Sequence, residues 1–209
     1  MKFKQYKDIL FQLGDKPLLG TTAHDKVLDT KVRNIIFKHK TLDEQPKKSA
    51  VLALIYPDAK GIANMVFILR KSYDGHHSGQ IAFPGGKVES FDKSLYDTAL
   101  REANEEVNVT ISDVNHLKDL TSVFIPVSNY MVYPFLAYTD KTPNFIKDPT
   151  EVDDILQFPM SQIINNSLVP IQKEYFGKTY TLNAFKIDDY LIWGATAMIL
   201  AEIRELLTI

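Results

Sequence analysis

Two apolar, β-branched runs, residues 50–56 and 62–69, are separated by Pro57-Asp58-Ala59-Lys60-Gly61, which predicts two strands joined as a hairpin. A polar stretch over 71–78 reads as a loop, and residues 80–83 as a short extended piece ending in Pro84-Gly85-Gly86. The spacing then changes from two to between three and four. Leu95, Ala99, Ala103 and Val107 form one stripe of a helix that Asp92 or Ser94 can cap. Residues 114–127 and 131–138 read as two further strands around a turn at Ser128-Asn129, 141–150 as a loop, and 151–158 as a strand. Residues 159–164 suggest a short helix that starts on Pro159. Residues 180–185 and 189–193 form a last hairpin, and 194–207 a C-terminal helix with Ala195, Met198, Ile199, Ile203 and Leu206 on one side. Upstream of all this, Phe3, Tyr6, Ile9, Leu10 and Leu13 repeat at helical steps. Residues 15–30 read as a loop laid over the domain, and 33–46 as an irregular arm or short helix. The order of elements predicts an α/β fold built on a mixed sheet, with residues 1–48 packing as an arm on a core of residues 49–209.

The helix after the Pro-Gly-Gly turn carries charge in a costly arrangement. Glu102, Glu105 and Glu106 follow Arg101 at i, i+3 and i+4, and their side chains fall within an arc of roughly 100°. Like charges at this spacing repel by a few tenths of a kcal/mol per pair, and anions near a helix C-terminus oppose its dipole. No lysine follows four residues on to pair them, and Glu106 falls on the wheel between Leu95 and Ala99, at the border of the apolar stripe. A solvated face explains this less well than a bound cation does.

Composition narrows which cation. The chain has no cysteine, so thiolate zinc sites are excluded and oxygen ligands remain, which suit Mg²⁺ or Mn²⁺. A net charge of −2 provides no global field to recruit nucleic acid. No run of eighteen apolar residues occurs, and the first twenty residues lack the apolar core of a signal peptide; the expectation is a cytoplasmic protein with no membrane partner. Helix 2–13 is a candidate surface for a homodimer.

These residues carry a resemblance. Gly86, five residues, Asp92, eight residues, then Arg101-Glu102-Ala103-Asn104-Glu105-Glu106-Val107-Asn108-Val109 is similar to the Nudix box. That box usually reads Gly, five residues, Glu, seven residues, Arg-Glu, an aliphatic, any residue, Glu-Glu, any residue, Gly and an aliphatic. This chain departs from it in having Asp92 for Glu, a spacer one residue longer, and Asn108 for Gly. Asn tolerates the left-handed conformation wanted past a helix end, and Asp92 can still pair with Arg101 or cap the helix. The run from His77 through Lys87, with Glu151-Val152-Asp153, Phe158-Pro159-Met160-Ser161 and Ile192-Trp193-Gly194-Ala195-Thr196, resembles the coenzyme A pyrophosphatases of that superfamily; Arg70-Lys71 stands where they usually have Arg-Ser. The resemblance covers roughly residues 15 to 207.

The resemblance implies a Nudix-type α/β/α sandwich with the catalytic loop and helix on one side, and metal-dependent hydrolysis of a nucleoside diphosphate derivative. Within that reading, Glu102, Glu105, Glu106 and the Gly86 carbonyl hold Mg²⁺ or Mn²⁺, and Arg101 orients the carboxylates. Glu105 and Glu151 are both candidates for the general base, while Arg70, His77, Gly85 and Lys87 meet the substrate. His24 and His76 are further candidate phosphate contacts, and Phe124 and Tyr130 candidate stacking partners for adenine. The substrate implied is coenzyme A or a derivative, cleaved to phosphopantetheine and adenosine 3′,5′-bisphosphate. Another nucleotide diphosphate, or regulatory nucleotide binding without turnover, are the alternatives.

Overall fold

The computed structural model describes residues 2–13, 16–38, 45–71 and 79–208. Its elements run α1 (Phe3–Phe11), α2 (Thr21–His24), α3 (Thr30–Lys38), β1 (Lys47–Pro57), β2 (Ala63–Arg70), β3 (Ile81–Ala82), β4 (Gly85–Lys87) and α4 (Leu95–Val107). They continue with β5 (Asn115–Asp119), β6 (Val123–Ile125), β7 (Tyr130–Tyr138), β8 (Val152–Pro159), α5 (Met160–Ile164), β9 (Leu168–Tyr175), β10 (Lys178–Ile187), β11 (Tyr190–Ile192) and α6 (Gly194–Thr208).

The first hairpin forms as expected, β1 against β2 antiparallel with Ile55 opposite Met65. β1 then pairs parallel with β7 from Lys47–Tyr130 to Ile55–Tyr138, which makes the sheet mixed. The order is β3-β2-β1-β7-β5, with β4 on β1, β6 on β7 and β8 on β2. A strand at the middle of such a sheet is buried on both faces, so its sequence is a continuous apolar run rather than an alternation. In β1, Ala50, Leu52, Leu54 and Tyr56 pack with Ala99, Leu100, Ala103 and Val107 of α4. Ala53 and Ile55 face the other core, formed with α1, α5 and α6. Helices therefore cover both faces of the sheet, the α/β/α sandwich that was expected.

Four details differ from the sequence reading. Residues 114–127 are two strands, because the backbone turns away at Leu120, whose N–H donates to Pro134 O, and Thr121, whose N–H donates to the Glu202 carboxylate. The arm contains a second short helix, α2, within the stretch read as loop. β9 was missed: Pro170, Lys173 and Glu174 mask its pattern, yet it pairs with β10 along its whole length, closing through Phe176 and Gly177 at φ 52° and 71°. The last hairpin is thereby a three-stranded sheet, β11-β10-β9. Most of the loop predicted over 71–78, and with it His76 and His77, lies outside the described residues. No helix among the described residues is long and apolar enough to cross a membrane.

Candidate active site

The helix begins and ends where its local chemistry dictates. Ser94 is the N-cap, its hydroxyl oxygen accepting from Asp97 N–H at 3.1 Å. Asn108 closes α4 in the left-handed region, φ 60° and ψ 38°, so the residue standing where the family pattern has Gly does the same conformational work. The next loop caps what remains: Asp148 N–H donates to Glu106 O at 3.0 Å, and Ile146 N–H to Val107 O at 3.3 Å. This docking, with the pairing of Arg70 and Val152 across β2 and β8, carries Glu151 to the glutamate face of α4. Lys71 N–H donates to Glu151 O at 3.1 Å and fixes its backbone.

Opposite that face lies β4, held edge-on to β1 through Ser49–Lys87, Ala50–Gly86 and Val51–Gly85. Both glycines are required by close approach. A Cβ on Gly85, which has φ 155°, would stand 2.3 Å from Ala50 O, and one on Gly86 would stand 2.4 Å from Glu102 Oε2. Gly85 N–H donates to Glu106 Oε2 at 2.8 Å, a bond buried from solvent. Burial pushes the Glu106 carboxyl up to about 8; the Gly85 N–H and Arg70 pull it down, and the charges of Glu102 and Glu151 add to the rise. Glu102 is also shifted up by desolvation, against the opposing pull of Arg101, with Glu105 and Glu151 as like-charged neighbours. Four carboxylates thus share one field.

Arg101 is fully committed. Its Nε donates to Asp92 Oδ1 at 2.9 Å, Nη2 to Asp92 Oδ2 at 3.1 Å and to Lys87 O at 2.9 Å, and Nη1 to Glu102 Oε1 and Glu105 Oε2, each at 2.9 Å. A guanidinium has five N–H donors, and all five are used. The Asp92 carboxylate also accepts from Glu89 N–H and Thr98 Oγ1, and the guanidinium beside it holds its carboxyl well below the usual range. Asp in place of Glu, together with the longer spacer, therefore still yields a two-point pair with Arg101. The arginine positions the carboxylates and has no donor left for a substrate.

Among the described residues no three acidic or histidine side chains already converge at metal-ligand spacing, since Arg101 draws Glu102 and Glu105 to itself. The donor set nevertheless fits a hard divalent ion. All its atoms are oxygens, Glu106 is 2 % exposed with its proton affinity raised, and Glu102 lies against the backbone of Gly86.

Gly85, Gly86 and Lys87 also border a cavity of about 700 Å³, into whose lining Arg70 brings a positive charge. Arg70, Gly85 and Lys87, three of the predicted substrate contacts, thus line one cavity. Phe124 and Tyr130 line the same cavity, and so does Trp193, with Lys173 Nζ 4.0 Å from its ring centroid. His24 is not there: it is 3 % exposed on α2, 3.9 Å from Glu202 Oε2, where burial pushes its pKa down. The buried Glu202 escaped the sequence reading; an acidic residue on the apolar face of the C-terminal helix was the available signal. A second, more open groove of about 560 Å³ beside Phe11, Tyr96, His116 and Tyr138 contains none of the site residues.

A family model for the NUDIX domain matches residues 46–178. "Nudix hydrolase 15, mitochondrial" of Arabidopsis thaliana is 32% identical over 163 residues, 75% of this chain and 57% of that protein. "Uncharacterized Nudix hydrolase NudL" of Photorhabdus laumondii is 30% identical over 167 residues, 79% of this chain and 88% of that protein. The chain spans little more than half the length of the plant relative and most of the bacterial one. Among solved structures, a Nudix hydrolase from M. smegmatis, RenU, aligns with TM-score 0.53 at 16% identity, covering 77% of this chain and 85% of that one. The NUDIX domain of Shewanella oneidensis NrtR, crystallised with ADP ribose, aligns with TM-score 0.52 at 12% identity, covering 84% and 98%. At such identities the likeness speaks for the fold.

Proposed function

The chain belongs to the Nudix family, and from that premise we propose that it is a Mg²⁺- or Mn²⁺-dependent pyrophosphohydrolase whose substrate is coenzyme A or one of its derivatives. The observation that carries the hydrolase reading is the placement of Glu102 and Glu106 against the Gly85-Gly86 backbone of β4, with Glu106 buried and bonded to Gly85 N–H. Repelling carboxylates pressed against backbone make sense when a cation completes them.

Glu102, Glu105, Glu106 and the Gly86 carbonyl would hold the ion. When bound, a divalent cation neutralises diphosphate charge and acidifies a water molecule. Arg101, locked by Asp92, keeps the glutamates in register. Gly85 N–H orients the Glu106 carboxylate. Of the two candidate bases, Glu105 has Oε2 occupied by a hydrogen bond from Arg101 Nη1, which favours Glu151 for accepting the proton of the attacking water. Arg70 and Lys87, at the cavity border, supply positive charge for the phosphates. Attack of water on one phosphorus forms a P–O bond and breaks the P–O bond of the bridging oxygen, which leaves on the other phosphate.

Coenzyme A is supported by the run from His77 through Lys87 and by the distant Glu151-Val152-Asp153 and Trp193-Gly194 segments that accompany the box. The test is a screen of coenzyme A, NADH, ADP-ribose and nucleoside triphosphates with Mg²⁺, read by product mass. Phosphopantetheine with adenosine 3′,5′-bisphosphate is the expected product pair. Coenzyme A among the poorest substrates would remove that choice and leave another nucleoside diphosphate derivative.

A further inference from the structure

Glu151 meets like charge from an exposed turn. Its carboxylate is a charged neighbour of both Glu102 and Glu106, while Pro149, Thr150 and Glu151 itself lie open to solvent. Like charges drive such a carboxylate outwards, and three exposed residues offer no core packing to oppose that. Hydrogen bonds have to hold it.

The turn is shaped from the sheet outwards. Along β2 and β8, Leu69 stands opposite Asp154 and Arg70 opposite Val152, so Asp153 is the extra residue of a bulge. A one-residue shift reverses the face that the residues beyond it take. Here it goes with Val152 entering the core at 1 % exposure and Glu151 taking the open position beside it. Lys147 Nζ donates to the carbonyl of the bulged Asp153. Within the turn, Asp148 Oδ1 accepts from Thr150 N–H and from Thr150 Oγ1, each at 2.7 Å, and Asp148 O accepts from Val152 N–H at 3.0 Å.

These bonds give the turn its form; others attach it to its surroundings. Asp148 N–H ties it to the end of α4 through Glu106 O. Lys71 ties it to the end of β2: its N–H donates to Glu151 O at 3.1 Å, and its Nζ to Pro149 O at 2.5 Å. One residue thus holds the carbonyls on both sides of Thr150. Arg70, the residue before it, lines the cavity, and successive side chains of an extended chain point to opposite sides. Lys71 is not among the lining residues. Its charge adds to the two Thr150 bonds that keep the Asp148 carboxyl below the usual range.

We propose that Lys71 is a positioning residue for Glu151: its ammonium, bonded to Pro149 O, holds the 148–151 turn so that the Glu151 carboxylate stays beside the α4 glutamates against their repulsion. The proposal rests on the reading of Glu151 as the base, and a double-mutant cycle with coenzyme A and Mg²⁺ separates their failures.

Lys71→Met removes the ammonium and keeps the backbone N–H. Its kcat should fall by about 10- to 100-fold with KM nearly unchanged, and Lys71→Arg should keep most of the rate. Lys71→Met combined with Glu151→Gln should lose no more than Glu151→Gln alone, because nothing is left to position. In the metal-free protein, hydrogen exchange at the Thr150 and Val152 amides should quicken at least about threefold in Lys71→Met and stay unchanged in Lys71→Arg. Wild-type kcat in Lys71→Met, a raised KM in its place, losses that multiply in the double variant, or unchanged exchange would overturn the proposal and leave Glu151 as the base. Wild-type kcat in Glu151→Gln would remove the base reading and the proposal with it. Should coenzyme A fail in the product screen, the same cycle runs on the compound cleaved there, and the exchange measurement needs no substrate.

Discussion

Glu102 occupies the space that a side chain at position 86 would need: a Cβ there would lie 2.4 Å from Glu102 Oε2 and 2.5 Å from its Cδ. The obstacle is the end of a flexible side chain, not backbone, so Gly86→Ala should fold and displace the carboxylate. A misplacement of about 1 Å at a reacting centre costs on the order of 100-fold. We expect kcat/KM to fall by about that factor in Gly86→Ala with little change in melting temperature. Activity near wild type would show that Glu102 is not held for catalysis by this contact.

Arg101 organises the site through five donated hydrogen bonds, so its loss should act on geometry and fold together. Arg101→Lys keeps a positive charge but cannot span Asp92, Glu102, Glu105 and the Lys87 carbonyl at once. Stability should drop by about 1–3 kcal/mol, as for lost hydrogen bonds to charged groups, and kcat should fall while KM changes little. Urea unfolding and steady-state kinetics on one preparation check both; a raised KM with unchanged kcat would instead indicate substrate contact.

Much of this was legible in the sequence because the relevant signals are local. The i, i+3, i+4 glutamates, the capping serine and Asn108 at the helix end depend on spacing and backbone preference, and all are realised in α4. What escaped depended on the tertiary fold. β9 reads as polar because alternate residues of an edge strand face solvent, and its partner β10 supplies the order its own pattern lacks. The arm looked like loose chain, since nothing local shows that Gly20 will bond to a carboxylate 182 residues away. The acidic cluster's approach to Glu151 likewise rests on the pairing of β2 with β8.

Glu106 gives a pH signature. Its carboxyl is raised from the usual 4.5 to about 8, chiefly by burial. As pH climbs between these values the unfolded chain ionises while the folded one keeps its proton, so the metal-free protein loses stability over this window and no further above it. Urea unfolding of the wild type against Glu106→Gln isolates this contribution, and the difference should favour the variant increasingly from pH 5 to pH 8. Mg²⁺ binding at pH 7 should release about one proton, seen by calorimetry in two buffers of different ionisation enthalpy. Release that persists undiminished at pH 9 would assign the proton elsewhere.

The two candidate bases separate by substitution. Glu151→Gln should lower kcat by about 100- to 10,000-fold, the usual contribution of general base catalysis. Glu105→Gln, which removes a carboxylate already tied to Arg101, should cost less. The reverse order would make Glu105 the base.

If the carboxylates of α4 facing Gly85 and Gly86 form a metal-dependent hydrolytic site, the most direct measurement is cleavage of coenzyme A by the wild type and by Glu106→Gln, each with Mg²⁺ and with chelator, followed by product mass. Phosphopantetheine and adenosine 3′,5′-bisphosphate are expected from the wild type with Mg²⁺ alone, and at least about a 1,000-fold loss in a folded Glu106→Gln protein. Equal rates in the two proteins, or wild-type turnover undiminished by chelator, would contradict such a site.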